Sequence, residues 1–156
     1  MNTILKQGMS QDSCTCGKLR EAARAVTLLY DKAFESSGLL STQLGVLHII
    51  YNSAYITISQ LAGALGMDRT TLTRNLSVLA RQGLIKISSG KDHRTRIVTI
   101  TSKGRTSVAR AIPLWNEVQR NVKKQMGENS WSQLMRCLGQ FLNVTYQLNN
   151  QNDKEA

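Results

Sequence analysis

The stretch that decides the fold is TISQLAGALGMDRTTLTRNLSVLARQGLIKISSGKDHRTRIVTITSKG, residues 57–104. Thr57 and Gln60 have the reciprocal spacing of a capping box, which starts a short helix with Leu61, Ala62 and Leu65 on its buried face. Gly66 stops that helix. Asp68 is a good N-cap for the next one, whose Leu72, Leu76 and Leu79 recur at helical spacing while Arg69, Thr70, Thr71, Thr73, Arg74 and Asn75 fall on other faces. Gly83 ends it, and the period then changes from helical to extended. Leu84 to Ser88 and Arg96 to Ile100 carry the β-branched residues of two strands, separated by the polar segment Ser89 to Thr95.

Two helices joined by the tight turn Gly66-Met67-Asp68, followed at once by a hairpin with a basic tip, are the parts of a winged helix-turn-helix. Its second helix would enter the major groove of DNA. Upstream, Leu19, Ala22, Ala23, Val26, Leu29, Tyr30, Ala33 and Phe34 predict an amphipathic helix over 17–36 that closes near Gly38. A further helix follows Ser41 with Leu44, Leu47, Ile50 and Tyr51. Downstream, Val108, Ala111, Trp115, Val118, Val122 and Met126 form one helical stripe. Trp131, Leu134, Leu138, Phe141, Thr145 and Leu148 form another, after a Ser130 to Gln133 capping box. Pro113 lies in the first of these helices and should kink it or mark its start. The expected architecture is mainly α with a small β-wing, one domain over 1–156. Its DNA-binding lobe spans about 41–104, with helices near 17–38 and 105–150 as a dimerisation region; an intramolecular bundle is the competing use of the same stripes.

Composition narrows the partner. Over 156 residues, 20 Lys and Arg stand against 10 Asp and Glu, a formal charge of +10 that points to a polyanion. Residues 36–67 hold no Asp, Glu, Lys or Arg, whereas 69–110 hold ten cations and the single acid Asp92. Such segregation favours a localised phosphate-facing surface over a diffusely basic protein, although a solvated charged face has the same composition. The longest apolar runs fall short of a bilayer span, and no leader-like apolar segment follows a basic start, so a cytoplasmic location and no membrane partner are expected. Three cysteines are too few and odd for a disulfide framework, which fits a reducing compartment.

The run Asp68 to Arg74, then Leu79 to Leu84, then Asp92-His93-Arg94 with Ile100-Thr101 and Gly104 in register, resembles the MarR family of bacterial transcription regulators. The wing pattern D-x-R-x5-(L/I)-T-x-x-G is its most specific part. The resemblance implies a winged-helix homodimer that usually represses by occupying a pseudo-palindromic site on double-stranded DNA. It also implies that Arg94 enters the minor groove, where A·T-rich DNA concentrates negative potential. Asp92 would orient that arginine. By their chemistry, Thr70, Thr71, Thr73 and Arg74 can reach phosphates or base edges, with Arg69 beside them. Ser59 and Gln60 can offer donors to a phosphate at a helix start, and Lys91 and Arg96 are candidate phosphate contacts or merely solvated cations.

The signal is read from the cysteines. Cys14 and Cys16 stand at the expected start of the first helix near Lys18 and Arg20, a setting that favours the thiolate. In the OhrR group of organic-peroxide sensors a sensing cysteine lies eight residues before an arginine; Cys16 precedes Arg24 by eight here, and Tyr30 matches a tyrosine that hydrogen-bonds that thiol. Ser41 stands where a second tyrosine is expected, and Cys137 does not align with the resolving cysteine of the two-cysteine sensors. Cys14 and Cys16 could instead hold a soft cation or be silent, but two thiolates are too few for a closed zinc site, so no metal or cofactor is expected. Cys137 is read as a buried packing residue. A small aromatic inducer held in the uncharged stretch near His48, Tyr51 and Tyr55 competes with the oxidant, and ordinary core competes with both. No enzyme is expected; thiol peroxidase chemistry at Cys16 is the one catalytic alternative.

Overall fold

Each helix of the decisive stretch is closed by side chains that the sequence places at its ends. The computed structural model describes residues 14–155 except Lys91 and His93. The element order is α1 (Thr15–Phe34), a 3-10 turn (Glu35–Ser37), α2 (Ser41–Tyr51), β1 (Ile56–Thr57), α3 (Ile58–Leu65), α4 (Arg69–Arg81), β2 (Ile85–Ser89), β3 (Arg96–Ile100), α5 (Ser102–Met126) and α6 (Glu128–Glu155). At α3 the Thr57 hydroxyl accepts the Gln60 N–H at 3.2 Å, and Gln60 Oε1 accepts the Thr57 N–H at 3.0 Å. Gly66 then turns left-handed at φ 60° and Met67 N–H returns to the Ala62 carbonyl, which leaves only Met67 and Asp68 between the helices. Asp68 Oδ1 takes the Thr71 N–H at 2.8 Å and starts α4.

The expected hairpin forms with Ser89 opposite Arg96 and Ile85 opposite Ile100. A third strand that the pattern did not reveal, β1, adds Ile56 opposite Val98, giving the antiparallel order β1-β3-β2. Two residues are too short to show a period, and their partner lies far along the chain. The chain divides after Trp115 into two compact units. In the first, Leu44, Leu47 and Ile50 of α2, Leu61 of α3, Leu72, Leu76 and Leu79 of α4, Val98 of β3 and Val108 of α5 share one buried core. From the uncharged stretch, Leu39, Leu44, Val46, Leu47, Ile50, Ile58, Leu61 and Ala62 are buried in this core, whereas His48, Tyr51 and Tyr55 are exposed. Only one end of α1 joins it, through Tyr30, Ala33 and Phe34. Tyr30 and Phe34 meet edge to face at 5.8 Å.

The first turn of α2 has no polar residue at its N-cap, because Leu40 stands there. Asp31 of α1 supplies the acceptor instead: its Oδ1 takes the Ser41 N–H at 2.6 Å, a charge well placed at a helix N-terminus.

Thr101 and Gly104 fix the start of α5. The Thr101 hydroxyl lies 2.7 Å from the Gly83 carbonyl and 3.0 Å from that of Leu84, and accepts the Gly104 N–H at 3.0 Å. A Cβ on Gly104 would strike the Leu84 carbonyl oxygen and come within 2.8 Å of Ile100 Cγ1. The T-x-x-G spacing therefore joins a cap to the close approach of α5 and the strand.

Three sequence expectations need correction. Pro113 lies inside α5, which begins at Ser102, so it does not mark a start; it leaves the Ala109 carbonyl without its usual donor. Helix α6 begins at Glu128, not after a Ser130–Gln133 box, because Gly127 turns left-handed at φ 77° and the next helix follows at once. Trp131 N–H bonds the Gly127 carbonyl within that first turn. Cys137 is exposed within this chain rather than buried, since the apolar stripe it flanks is itself uncovered. In the second unit, Lys123 bonds Glu128 at 2.6 Å and lies 4.8 Å above the Trp131 ring, fastening the α5–α6 corner.

Gly104→Ala should destabilise the chain by about 3 kcal/mol, since the added methyl meets backbone that cannot rotate away. Urea unfolding measures it, and a loss below about 1 kcal/mol would show that the strand carbonyl yields.

Candidate nucleic-acid interface

Burying Leu72, Leu76 and Leu79 turns the opposite face of α4 outward. Thr70, Arg74, Ser77 and Arg81, spaced i, i+4, i+7 and i+11, occupy that face and are all exposed. Thr71 flanks it on one side. Thr73 flanks the other, with its hydroxyl proton committed to the Arg69 carbonyl at 2.6 Å, so that its oxygen can only accept further. Ser77 bonds the Thr73 carbonyl at 2.9 Å in the same way. Arg69 is exposed but is one turn before Thr73, off the central line. Ser77 and Arg81 were not singled out from the sequence, although continuing the helical spacing from Thr70 through Arg74 finds both.

Asp68 is fully exposed, and the Thr71 hydroxyl, then the Thr71 N–H, hold its carboxyl below the ordinary value of 3.8. The Thr71 N–H is therefore already paired. Ser59 and Gln60 are exposed in the first turn of α3. Gln60 Oε1 is occupied by both the N–H and the hydroxyl of Thr57, at 3.0 and 2.9 Å, so its outward contribution is as an amide donor.

At the wing, Asp92 Oδ1 accepts the Arg94 backbone N–H at 3.0 Å and the Asp92 carbonyl accepts Thr95 N–H at 2.8 Å. Gly90 N–H bonds the Thr95 carbonyl below this turn. Asp92 thus shapes the backbone that carries Arg94, and the exposed Arg94 side chain is left to project. Lys91 lies outside the described residues. Arg96 is exposed and shares the sheet face of Val98 and Ile100, whereas Lys86, opposite Thr99, is on the other face.

Two members of the basic segment have other duties. Lys103 Nζ bonds the Gln82 carbonyl at 2.8 Å and Arg105 stacks 5.5 Å from the Tyr51 ring centroid. Arg69, Arg74 and Arg81 of α4 and Arg94 and Arg96 of the wing are exposed, on elements whose backbone is already paired.

The expected thiol site is only partly assembled. Cys14 is the N-cap of α1, its Sγ accepting the Gly17 N–H at 3.4 Å, and Cys16 is exposed as the second residue of the helix. Lys18 pairs with Glu21 at 3.1 Å. Tyr30 lies fourteen residues from Cys16 on the same helix, about 21 Å at 1.5 Å per residue, so one chain does not bring them together. His48 pairs with Asn52 at 3.1 Å, and Tyr51 and Tyr55 are exposed. Among the described residues no group of three His, Cys, Asp or Glu is placed to hold a metal ion, and no helix is long and apolar enough to cross a membrane.

The MarR family model matches residues 37–95. The DNA complex of the transcriptional regulator MosR from M. tuberculosis is similar, with 38% identity and a TM-score of 0.80 over 86% of this chain and 97% of that one. A second crystal structure of M. tuberculosis MosR is similar at 35% identity and TM-score 0.75, covering 88% of this chain and 98% of that one. The S. aureus MepR–DNA complex shares the fold at 20% identity, TM-score 0.76, covering 85% and 98%. No curated protein sequence matches the chain.

The lowered Asp68 carboxyl has a pH signature. A depressed folded value means that the cap contributes fully above the unfolded aspartate range and is lost as pH falls through the folded value. Asp68→Ala should therefore lower the unfolding temperature at pH 7, and the gap to the unaltered chain should narrow as pH falls through and below the ordinary aspartate range. Thermal scans across that range check it; a gap independent of pH would remove the charge from the cap's contribution.

Proposed function

Because the chain belongs to the MarR family of transcription regulators, we propose that it is a homodimeric repressor that binds a pseudo-palindromic site on double-stranded DNA and is released by a chemical signal at Cys16 and Cys14. The observation that carries the DNA reading is the outward face of α4, with Thr70, Arg74, Ser77 and Arg81 in line and opposite three buried leucines. A helix so presented fits the major groove: Arg74 can take a guanine edge in bidentate fashion, and the threonine hydroxyls can reach bases or phosphates. Arg94 extends from the wing into the adjacent minor groove, and Arg69, Lys91, Arg96, Ser59 and Gln60 hold phosphates on either side. The DNA complex of MosR, at 38% identity, supports this use of the fold.

Dimerisation is supported by apolar surface that one chain leaves open. Leu134, Met135, Phe141, Leu142 and Leu148 of α6 and Val26, Leu28 and Leu29 of α1 are exposed. Each such side chain, if buried by a second copy, contributes roughly 1.5–3 kcal/mol. Two copies place two α4 helices for half-sites about one DNA turn apart.

The signal reading rests on Cys14 and Cys16 at the positive end of α1. A hydroperoxide would oxidise the Cys16 thiol to the sulfenic acid and leave as the alcohol, a stoichiometric switch and not a peroxidase cycle. Tyr30 could meet Cys16 only from a second copy of α1.

Duplexes selected from a random-sequence pool provide the test. Arg74→Ala should lose about 1–3 kcal/mol of binding to the selected duplex and relax preference at one position per half-site. Arg94→Ala should weaken binding about tenfold or more at unchanged unfolding temperature. Equal affinity in both variants would end the proposed docking mode.

Organic hydroperoxide should release the unaltered protein but not Cys16→Ser. If both bind alike before and after treatment, the thiol is not the signal and small-molecule inducers take its place.

A further inference from the structure

The stem of α1 is tied to the far end of the recognition helix by a run of polar contacts through the start of α2. Asp31 Oδ1 accepts the Ser41 N–H at 2.6 Å. One turn on, Gln43 Oε1 accepts the Leu40 N–H at 3.0 Å, and the Gln43 amide donates across to Gln82 Oε1 at 3.3 Å. Gln82 is the C-cap residue of α4, and its own carbonyl receives Lys103 Nζ from α5 at 2.8 Å. Four elements distant in sequence thus meet along one line. The apolar seat of α1 in the core is confined to Tyr30, Ala33 and Phe34, beside Asp31, while Val26, Leu28 and Leu29 further up the helix are exposed. A tilt of α1 therefore pivots where the polar line begins.

We propose that Asp31, Gln43 and Gln82 form a strut through which the position of α1 sets the seating of α4. They act as positioning residues for DNA reading, and they do not themselves contact DNA. The proposal rests on α4 being the reading helix. It gives Asp31 two tasks, capping α2 and transmitting the angle of α1, and it makes Gln82 the point at which that angle reaches the reader. Contact through Gln82 is effective because the α4 backbone ends there: the next residue, Gly83, turns left-handed at φ 73° and the chain leaves for the wing. A lateral shift of this last turn swings the opposite end of the helix, where Thr70 and Thr71 sit, across the groove.

Gln82→Leu removes the side-chain acceptor while leaving the backbone carbonyl to Lys103, and Gln82→Glu restores an acceptor at the cost of a charge that both DNA and the helix terminus disfavour. The full-length protein is assayed against its selected duplex and a scrambled duplex. Gln82→Leu should lower discrimination between the two about fivefold, Gln82→Glu should keep it within about twofold, and Asp31→Ala combined with Gln82→Leu should lose no more than the worse single variant, because members of one strut are not additive. Glutamate performing as badly as leucine, or losses that multiply, would overturn the strut. Amide exchange in the protein without DNA gives an independent arm: Asp31→Ala should speed exchange in the last turn of α4 about threefold or more. Unchanged exchange there also overturns the proposal. If the unaltered protein discriminates no duplex, the DNA reading fails, and the exchange arm alone still decides the strut.

Discussion

The hydroxyl of Thr101 is the joint on which the geometry of the first unit depends. It meets the carbonyls of Gly83 and Leu84 and the N–H of Gly104, so one oxygen ties the exit of α4, the root of β2, the end of β3 and the start of α5. One proton cannot serve two carbonyls at full strength, and the shared arrangement is supported by the Thr101 N–H, which bonds the Leu84 carbonyl at 3.1 Å. Gly104 is the steric half of the joint, because only a residue without a Cβ lets α5 lie this close to the strand. Buried groups around this crossing are otherwise apolar, with Val98 and Val108 fully covered on either side. Direction comes from the polar joint and adhesion from the core.

That joint explains how a protein with so concentrated a positive charge keeps its cations apart and available. Lys103 is drawn onto the Gln82 carbonyl and Arg105 onto the Tyr51 ring, so the cations nearest the joint serve the fold. Among the described residues, Arg74 and Arg81 on the outward line of α4 and Arg94 at the wing are exposed. Segregation along the sequence assists, since the uncharged stretch 36–67 supplies the core without burying any charge, and no buried side-chain polar atom among the described residues lacks a partner. A phosphate surface built this way needs little reordering to bind, because both wing strands and both helix ends are already capped or paired.

What was legible in the sequence was whatever is decided locally. The Thr57–Gln60 box, the glycine stops at 66 and 83, the Asp68 cap and the extended period after Gly83 all stand within a few residues of one another, and each forms as its spacing predicts. Strand β1 was not legible because its two residues acquire meaning only opposite Ile97 and Val98. The Ser130–Gln133 spacing was a misleading local signal: Gly127 ends one helix and the corner contacts of Lys123 begin the next before Ser130 is reached. Cys137 shows the opposite failure, an apolar neighbourhood on the helix that no other part of the chain covers. In the interface, Thr70, Thr71, Thr73 and Arg74 were visible as the polar side of a helix, but which of their protons are already committed could not be seen until Arg69 and Asp68 were in place.

The asymmetry of α1 connects the remaining features. A helix of twenty residues, anchored in the core by its last turns and capped at the far end by a cysteine, is a lever by construction. Its free length presents the exposed apolar side chains Val26, Leu28 and Leu29, which the proposed second copy would cover. Its anchored end carries Asp31, whose carboxylate accepts the Ser41 N–H in the first turn of α2. Chemistry at Cys16 and Cys14 lies about 22 to 26 Å from that carboxylate along the helix, too far for direct electrostatic influence across a Debye length of about 8 Å at physiological salt. Within one chain, an influence of the thiols on α4 would travel as motion of the helix, and the proposed contacts of Asp31, Gln43 and Gln82 at its base would set how much of that motion reaches α4.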